Sequence, residues 1–432
     1  MARQHGTTGE PGIVSYVDSA LSAGLSGESP ANASIAGPAD LQSGSAKSGE
    51  VVTVSKAREA RNQFGEDSRL TRNVINALNE GASPVWAAAA KRVSVTGEDL
   101  SGLSSNTGEL SNAPVEEDSS SVTFAVGGTD LTTKIVYEEP KADDPGTDEV
   151  WVEPNTGKFA IDSGVTVDNT DDKVDYTHYN YNTALDNLTS GPSAEDIDFV
   201  GVLTSNQGVK SEAELQLDNM ADEAQFASAF FPAETNIEEK TSYEPGFDNS
   251  RVQVIYPGRN DEDNHIIGSY VGMRARLGIR TTPIRKRLRT QDYLSERLIQ
   301  DDREALIDNR VVPILGERAG AKIMDDINTV KVSENADESN INYAYTRLLV
   351  DFIEETIRLS EERFIGKLNR PAIRKALKAA VDSQLRALTQ QAQVISFETS
   401  VEAESSVKAQ VYVSLDLAQP LRFVENQITI EE

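Results

Sequence analysis

The chain has 432 residues, 38% of them apolar, no cysteine and a formal net charge of −29. That length exceeds one ordinary core and predicts roughly two to four domains. The lack of cysteine excludes disulfides, thiolate chemistry and Cys-ligated zinc, and points to folding in a cytoplasm.

Residues 1–50 are rich in Gly, Ser, Ala and Pro, residues 1–32 read as an N-terminal arm, and the opening "MARQHGTTGEPG" lacks the apolar core of a signal peptide. Within this arm "GIVSYVD", Gly12 to Asp18, alternates like a short strand between flexible flanks. "ASIAG", Ala33 to Gly37, reads as a first buried strand and "VVTVS", from Val51, as a second. A helix follows, capped near Asp67–Ser68, with Leu70, Val74 and Leu78 on one face and Gly81 as its stop. "PVWAAAA", Pro84 to Ala90, is the longest apolar run; it is strand-sized and far short of the roughly 20 residues of a membrane span.

From Val93 to Tyr181 no helical period occurs. Short runs such as "SVTFAVGG", "KIVYEE", "EVWVEP" and "KFAIDSG" alternate with turns such as "PNTG", Pro154 to Gly157. These residues, 93–181, read as a β-rich domain inserted into an α/β domain formed by 33–92 and 182–330. The α/β pattern resumes with the strand "IDFVGVL", Ile197 to Leu203. A helix then runs from Ser211 to Phe231, with Leu215, Met220, Ala224 and Phe231 inward. The strand "RVQVIYP", Arg251 to Pro257, and a small-residue helix from His265 to Gly278 complete it.

Residues 331–432 form a last domain. A helix from Ile341 to Arg363 carries Tyr345, Leu348, Leu349, Phe352, Ile353 and Ile357 on one face. Pro371 opens the next helix, which buries Ile373, Leu377, Ala380, Val381, Gln384 and Leu388. "VISFETSV", "VKAQVYVSLDL" and "LRFVENQITI" then read as an antiparallel meander whose final strand ends two residues before the last residue given.

Catalytic signatures are scarce. The three histidines, His5, His178 and His265, lie in different regions, which disfavours a Ser-His-Asp or His-rich metal site. "NTGKF" lacks the upstream glycine of a phosphate loop. "DNTDDKVD", Asp168 to Asp175, lacks the glycine and the terminal glutamate of a calcium loop, and "GRNDEDNH", Gly258 to His265, reads as a solvated loop. Glu138, Glu139 and Glu153 pose as paired glycosidase carboxylates, but acids are so abundant that chance adjacency explains them better. No cofactor is implied.

The acidity suits very high salt, where repulsion is screened over a few Å, and Arg outnumbering Lys agrees with a halophilic source; the alternative is an ordinary acidic protein. Against that background one helix reverses sign. Lys375, Lys378 and Arg386 lie away from its apolar face and Arg374 lies at the border, whereas the preceding helix offers Asp351, Glu354, Glu355, Glu361 and Glu362 as a solvated acidic face. The reversal points to an acidic partner surface rather than to solvent alone. A second basic stretch, Arg274 to Arg289 with "PIRKRLR", offers another contact.

The order of these segments resembles the contractile tail sheath proteins of tailed phages, archaeal viruses and related contractile injection systems. The resemblance rests on "EPGIVSYVDSALSAG…ANASIAGPA", on "VVTVSKAREARNQFGEDSRLTRNVINALNEGASPVWAAAA", and on "VIYPG" and "GSYVGMRARLGI". It rests also on the paired helices "NYAYTRLLVDFIEETIRLSEERFIGKLNRPAIRKALKAAVDSQLRAL" with the meander after them. These are packing patterns, and 93–181 follows none of them.

The resemblance implies a discontinuous α/β (α+β) sheath core with an inserted β-rich domain. It also implies a C-terminal helix-helix-meander domain completed by strands from neighbouring subunits. The exchanged strands would be Gly12, Ile13, Val14, Tyr16 and Val17 at one end, and Leu421, Phe423, Val424, Ile428 and Ile430 at the other. Arg374, Lys375, Lys378 and Arg386 would face an inner tube. The implied product is a non-enzymatic homo-oligomer of stacked hexameric rings in a virion tail or assembled contractile particle. Its partners would be the inner tail tube, baseplate and tail terminator proteins, with no direct nucleic acid and no membrane insertion. Assembly would occur in a host cytoplasm, that of a halophilic archaeon. The alternative is a non-contractile structural or receptor-binding protein of a virion or cell surface.

Overall fold

The computed structural model describes residues 31–100, 103, 106–167, 171–191, 197–223, 225–233, 240, 243–260, 265–279, 281–294, 296–331 and 342–419. Its centre is an eight-stranded sheet. Strands β1 (Ala33–Gly37), β3 (Val85–Ala89), β12 (Phe199–Val202), β13 (Ser228–Pro232), β14 (Val252–Tyr256) and β15 (Val311–Glu317) run parallel, in the order β15-β14-β13-β12-β1-β3. Antiparallel strands close both edges: β2 (Val51–Val54) beside β3 and β16 (Gly320–Ile323) beside β15.

The inner strands are apolar on successive residues because helices cover both faces. Phe199, Phe230 and Ile255 pack on one side with α2 (Arg69–Glu80) and α5 (Ile267–Leu277). Val200, Phe231 and Val254 pack on the other with α3 (Asn182–Thr189), α4 (Gln207–Asp222) and α6 (Gln300–Asp308). The expected α/β architecture is present.

Local signals explain the helix α2. The Ser68 hydroxyl accepts the Thr71 N–H at its start, and Gly81 ends it at φ 116°, a left-handed conformation that glycine adopts without strain. The glycines of "GSYVG" explain α5. A Cβ at Gly272 would stand 2.5 Å from the Ala77 Cα, so the backbones of α2 and α5 approach more closely than side chains permit.

One expected helix is too long. The side chain of Asn206 caps α4, which ends at Asp222. Phe231 lies on β13, and Leu215 is exposed. The run "SAFFP" is buried on both sides between β12 and β14, and this parallel sheet position overrides the apparent helical period.

Between β3 and β12 the chain leaves the sheet. It exits along β4 (Lys91–Asp99) and returns along β11 (Lys173–Asn180), which pairs antiparallel with β4. Two four-stranded sheets lie in this excursion. One orders β4-β11-β6-β7, with β6 at Val122–Val126 and β7 at Thr129–Asp130. The other orders β5-β10-β9-β8, with β5 at Thr107–Glu109, β8 at Thr132–Ile135, β9 at Glu149–Val152 and β10 at Lys158–Ile161. They enclose a separate core in which the Phe124 and Phe159 rings stand 4.9 Å apart.

At the other end α7 (Ala344–Glu361), α8 (Pro371–Gln390), β17 (Val394–Ala403) and β18 (Ala409–Leu417) surround a fourth core. Leu377, Ala380, Val381, Leu385 and Leu388 of α8 are buried. Leu385 was not expected there, and Ile373 and Gln384 are only half-buried.

The acids of α7 are not all solvated, contrary to the sequence reading. Asp351, Glu354 and Glu361 are buried, while Glu355 and Glu362 stay exposed. Asp351 faces the central sheet rather than water, because Arg251 at the head of β14 meets it at 2.7 Å and Arg347 also pairs with it. The second basic stretch is spent internally only in part, and Arg285, Lys286 and Arg289 stay exposed. Arg274 pairs with Asp326 at 3.3 Å in the core, Arg276 donates to the Glu80 carbonyl at 2.7 Å, and Arg287 pairs with Glu317.

Candidate assembly surface

The C-terminal unit offers the most specific surface. β17 and β18 pair antiparallel from Val394–Leu417 to Ala403–Ala409. Phe397, Val401, Val411, Val413 and Leu415 form one face of this ribbon against the α7–α8 core, yet remain only partly buried. Among the described residues the ribbon has two strands, so each keeps an edge without a strand partner. Two-stranded ribbons are marginal alone, and three or more strands on an apolar face are the stable form. The candidate exchanged strands, Gly12–Val17 and Leu421–Ile430, lie outside the described residues.

The basic residues of α8 divide into two kinds. Lys378 is neutralised at home: its Nζ lies 2.9 Å from Asp382 and donates to the Thr399 hydroxyl at 2.6 Å, tying α8 to β17. Burial pushes the Asp382 carboxyl up, but the Thr399 hydroxyl and Lys378 outweigh it and hold the group below the usual carboxylate range. Arg374 donates to the Asn369 Oδ1 at 2.8 Å, and the Asn369 amide in turn donates to the carbonyls of Ser405 and Lys408. That chain of bonds clasps the α7–α8 loop to the β17–β18 turn. Lys375 is exposed, and Arg386 is 69% exposed, with Asp382 at 3.8 Å. The four candidates share one helix, but only Lys375 and Arg386 present charge outward. Sequence reading missed Asp382 as the local counter-ion because an i+4 acid is silent until the rotamer is known.

The candidates for chemistry have structural duties. Glu153 accepts the N–H groups of Asn155 and Thr156 and closes the β9–β10 turn, and Glu139 pairs with Lys158 at 2.6 Å. Asp172 and Asp175 accept the Gly127 and Gly97 amides. The His265 ring is fully buried, and desolvation beside Arg259 and Arg69 holds its pKa well below the ordinary value.

One carboxylate joins the excursion to the central sheet. Glu117, between β5 and β6, meets Arg259 at 2.8 Å and also Arg69 at the start of α2, and the Tyr137 hydroxyl donates to it at 3.2 Å. Burial opposes its ionisation, but the two guanidinium groups prevail and set its pKa at about 2. Glu117 and Asp351 thus repeat one device, a carboxylate gripped by two arginines at a junction with the sheet.

No family model and no curated protein matches the sequence. Solved structures do. The anti-feeding prophage helical sheath in its contracted state aligns over 98% of this chain and 99% of its own, with TM-score 0.57 and 13% identity. A chain of the anti-feeding prophage baseplate aligns over 99% of this chain, again with TM-score 0.57 and 13% identity. The fold is that of contractile sheath proteins. The sheath tail protein of Desulfitobacterium hafniense shares it over 92% of this chain and all of its own, with TM-score 0.54 and 11% identity. The alignment spans nearly all of the chain, including the excursion at 91–180.

Proposed function

We propose that this chain is the repeating subunit of a contractile sheath. It stacks as hexameric rings around an inner tube and contracts to drive that tube through a target envelope. The observation that carries this reading is a fold shared with a contracted helical sheath over nearly the full length of both chains.

The half-covered ribbon supports it. Its open edges suit strands added from neighbours, Gly12–Val17 from one side and Leu421–Ile430 from the other, through backbone hydrogen bonds. Such strands keep a mesh connected while subunits move. The gripped carboxylates Glu117 and Asp351 suit a subunit that moves as one body. Work comes from interfaces better buried in the contracted state, not from nucleotide hydrolysis. Lys375 and Arg386 face the tube, and Arg374 and Lys378 hold the helix that presents them. Exposed pairs are worth about 0–1 kcal/mol each, so contacts of this kind break readily on contraction. A virion tail with baseplate and tube partners, used for genome ejection and built in a halophilic archaeal cytoplasm, completes the reading.

Deletion of Leu421 to Glu432 tests it. The expected result is a folded monomer, by circular dichroism and sedimentation, that no longer polymerises. Polymers that persist would remove strand exchange from the account.

A further inference from the structure

Two exposed patches of opposite charge remain after these assignments. The first is the tip of the C-terminal unit. Leu368 is 66% exposed and Val407 is 90% exposed, with Ile365 and Leu359 exposed beside them in sequence. The Asn369 clasp ties the two loops together and so brings Leu368 and Val407 to the same end of the unit. Arg363, Lys367 and Arg370 are exposed around this tip and have no carboxylate partner among the described residues. Of the acids near it, Glu362 pairs with Arg358, Glu404 with Lys408, and Glu361 is buried, while Glu402 on β17 stays exposed.

The second patch is the strap that leads into α6. Tyr293 is 63% exposed and Ile299 is 59% exposed. Asp292, Asp301, Glu304 and Asp308 are exposed along the same stretch, with Arg297 as the one exposed base. The strap is anchored from below, where the Asn260 amide donates to the Tyr293 carbonyl at 2.8 Å and Arg303 donates to the Leu298 carbonyl at 3.0 Å.

We propose that the basic-rimmed apolar tip of one copy docks on the acidic-rimmed apolar strap of a second copy. Both patches are exposed within one chain, so they do not satisfy each other in the same molecule. Exposed apolar clusters rimmed by polar groups mark interaction sites, and opposite rims orient the encounter and reject like-charged faces. A tip that fits a different patch makes a heterologous contact, which propagates into rings or helices instead of closing as a dimer. In a chain of net charge −29, a positive tip meets an acidic surface on any second copy, and the strap adds the apolar complement. In molar salt the screening length falls to about 3 Å, so only charges in contact count and the apolar centre carries the affinity. The proposal rests on the reading that copies of this chain assemble with one another.

The test uses the full chain and two readouts. The protein has no cysteine, so Leu368→Cys carries a maleimide photo-crosslinker at a single site. In a mixture of light and heavy isotope-labelled protein, the expected products join the labelled peptide around position 368 of one copy to peptides from 292–308 of the other. The second readout is polymer yield by sedimentation and electron microscopy. Lys367→Glu with Arg370→Glu should lower it at least tenfold while the circular dichroism of the monomer is kept. Adding Asp301→Lys with Glu304→Lys in the same chain should restore it. Crosslinks that avoid 292–308, an unchanged yield, or no restoration would each overturn the docking while wild-type polymers leave the sheath reading intact. A wild type that stays monomeric under all conditions overturns both.

Discussion

The central sheet and the C-terminal ribbon are both β-structure, yet they stand at opposite ends of self-sufficiency. The sheet has eight strands, antiparallel strands at both edges and helices on both faces, and its four central strands are buried throughout. The ribbon has two described strands, covered on one face by α8, and its apolar residues are only partly buried. Sheets of ordinary size close their edges to avoid pairing with other chains, and an uncovered edge invites that pairing. The first region is finished within one molecule, and in the proposed reading the second is finished by strands from others.

The largest expected effect would break this contrast at the junctions that tie the sheet to its surroundings. Glu117→Ala leaves the buried Arg259 and half-buried Arg69 charges uncompensated and should cost about 3–5 kcal/mol in chemical denaturation. Glu117→Gln gives the pH signature. The folded pKa of about 2 lies below the ordinary value of 4.5, so the Glu117 contribution is present above about pH 4.5 and is lost as pH falls toward 2. The wild type should therefore release stability over that window more steeply than the variant, by about one bound proton. Equal acid slopes would remove the gripped carboxylate from the account.

Leu385→Ala sharpens the other side. Leu385 is fully buried between α8 and its neighbours, so a loss of about 2–5 kcal/mol is expected if the small C-terminal core folds cooperatively with the sheet. An effect confined to faster amide exchange in β17 and β18 would instead make the ribbon an independent unit. Ser68→Ala removes the cap of α2 and should cost about 0.5–2 kcal/mol, a local change in the finished region. The smallest effect is on the surface: Lys375→Glu should leave stability within about 0.5 kcal/mol and weaken binding to the tube. Unchanged tube binding would take Lys375 out of that contact.

How much of this was legible depended on whether the signal was local. The Ser68 cap and the Gly81 stop are written in adjacent residues, and the structure places both as read. The strands Ala33–Gly37 and Val85–Ala89 were legible from buried apolar runs. The helices α1 (Ala57–Phe64), α3 and α6 were not read. α1 buries only Ala60 and Phe64 and α6 only Leu306, too few to show a period, and α3 is only eight residues long, too short to repeat the spacing of Ala184, Leu185, Leu188 and Thr189. Phe231 was misplaced because a strand between two parallel neighbours and a helix face both demand apolar residues. The sign reversal on α8 was visible, but which charges are spent at home was not. Lys378 and Arg374 find partners across a loop and a strand, in rotamers that spacing alone does not specify.

Electron microscopy of the purified full-length chain, across salt and protein concentration, tests the central claim most directly. A sheath subunit with an unfinished ribbon should polymerise alone into hollow tubes of uniform diameter with repeating rings. Monodisperse monomers under every condition would contradict the account.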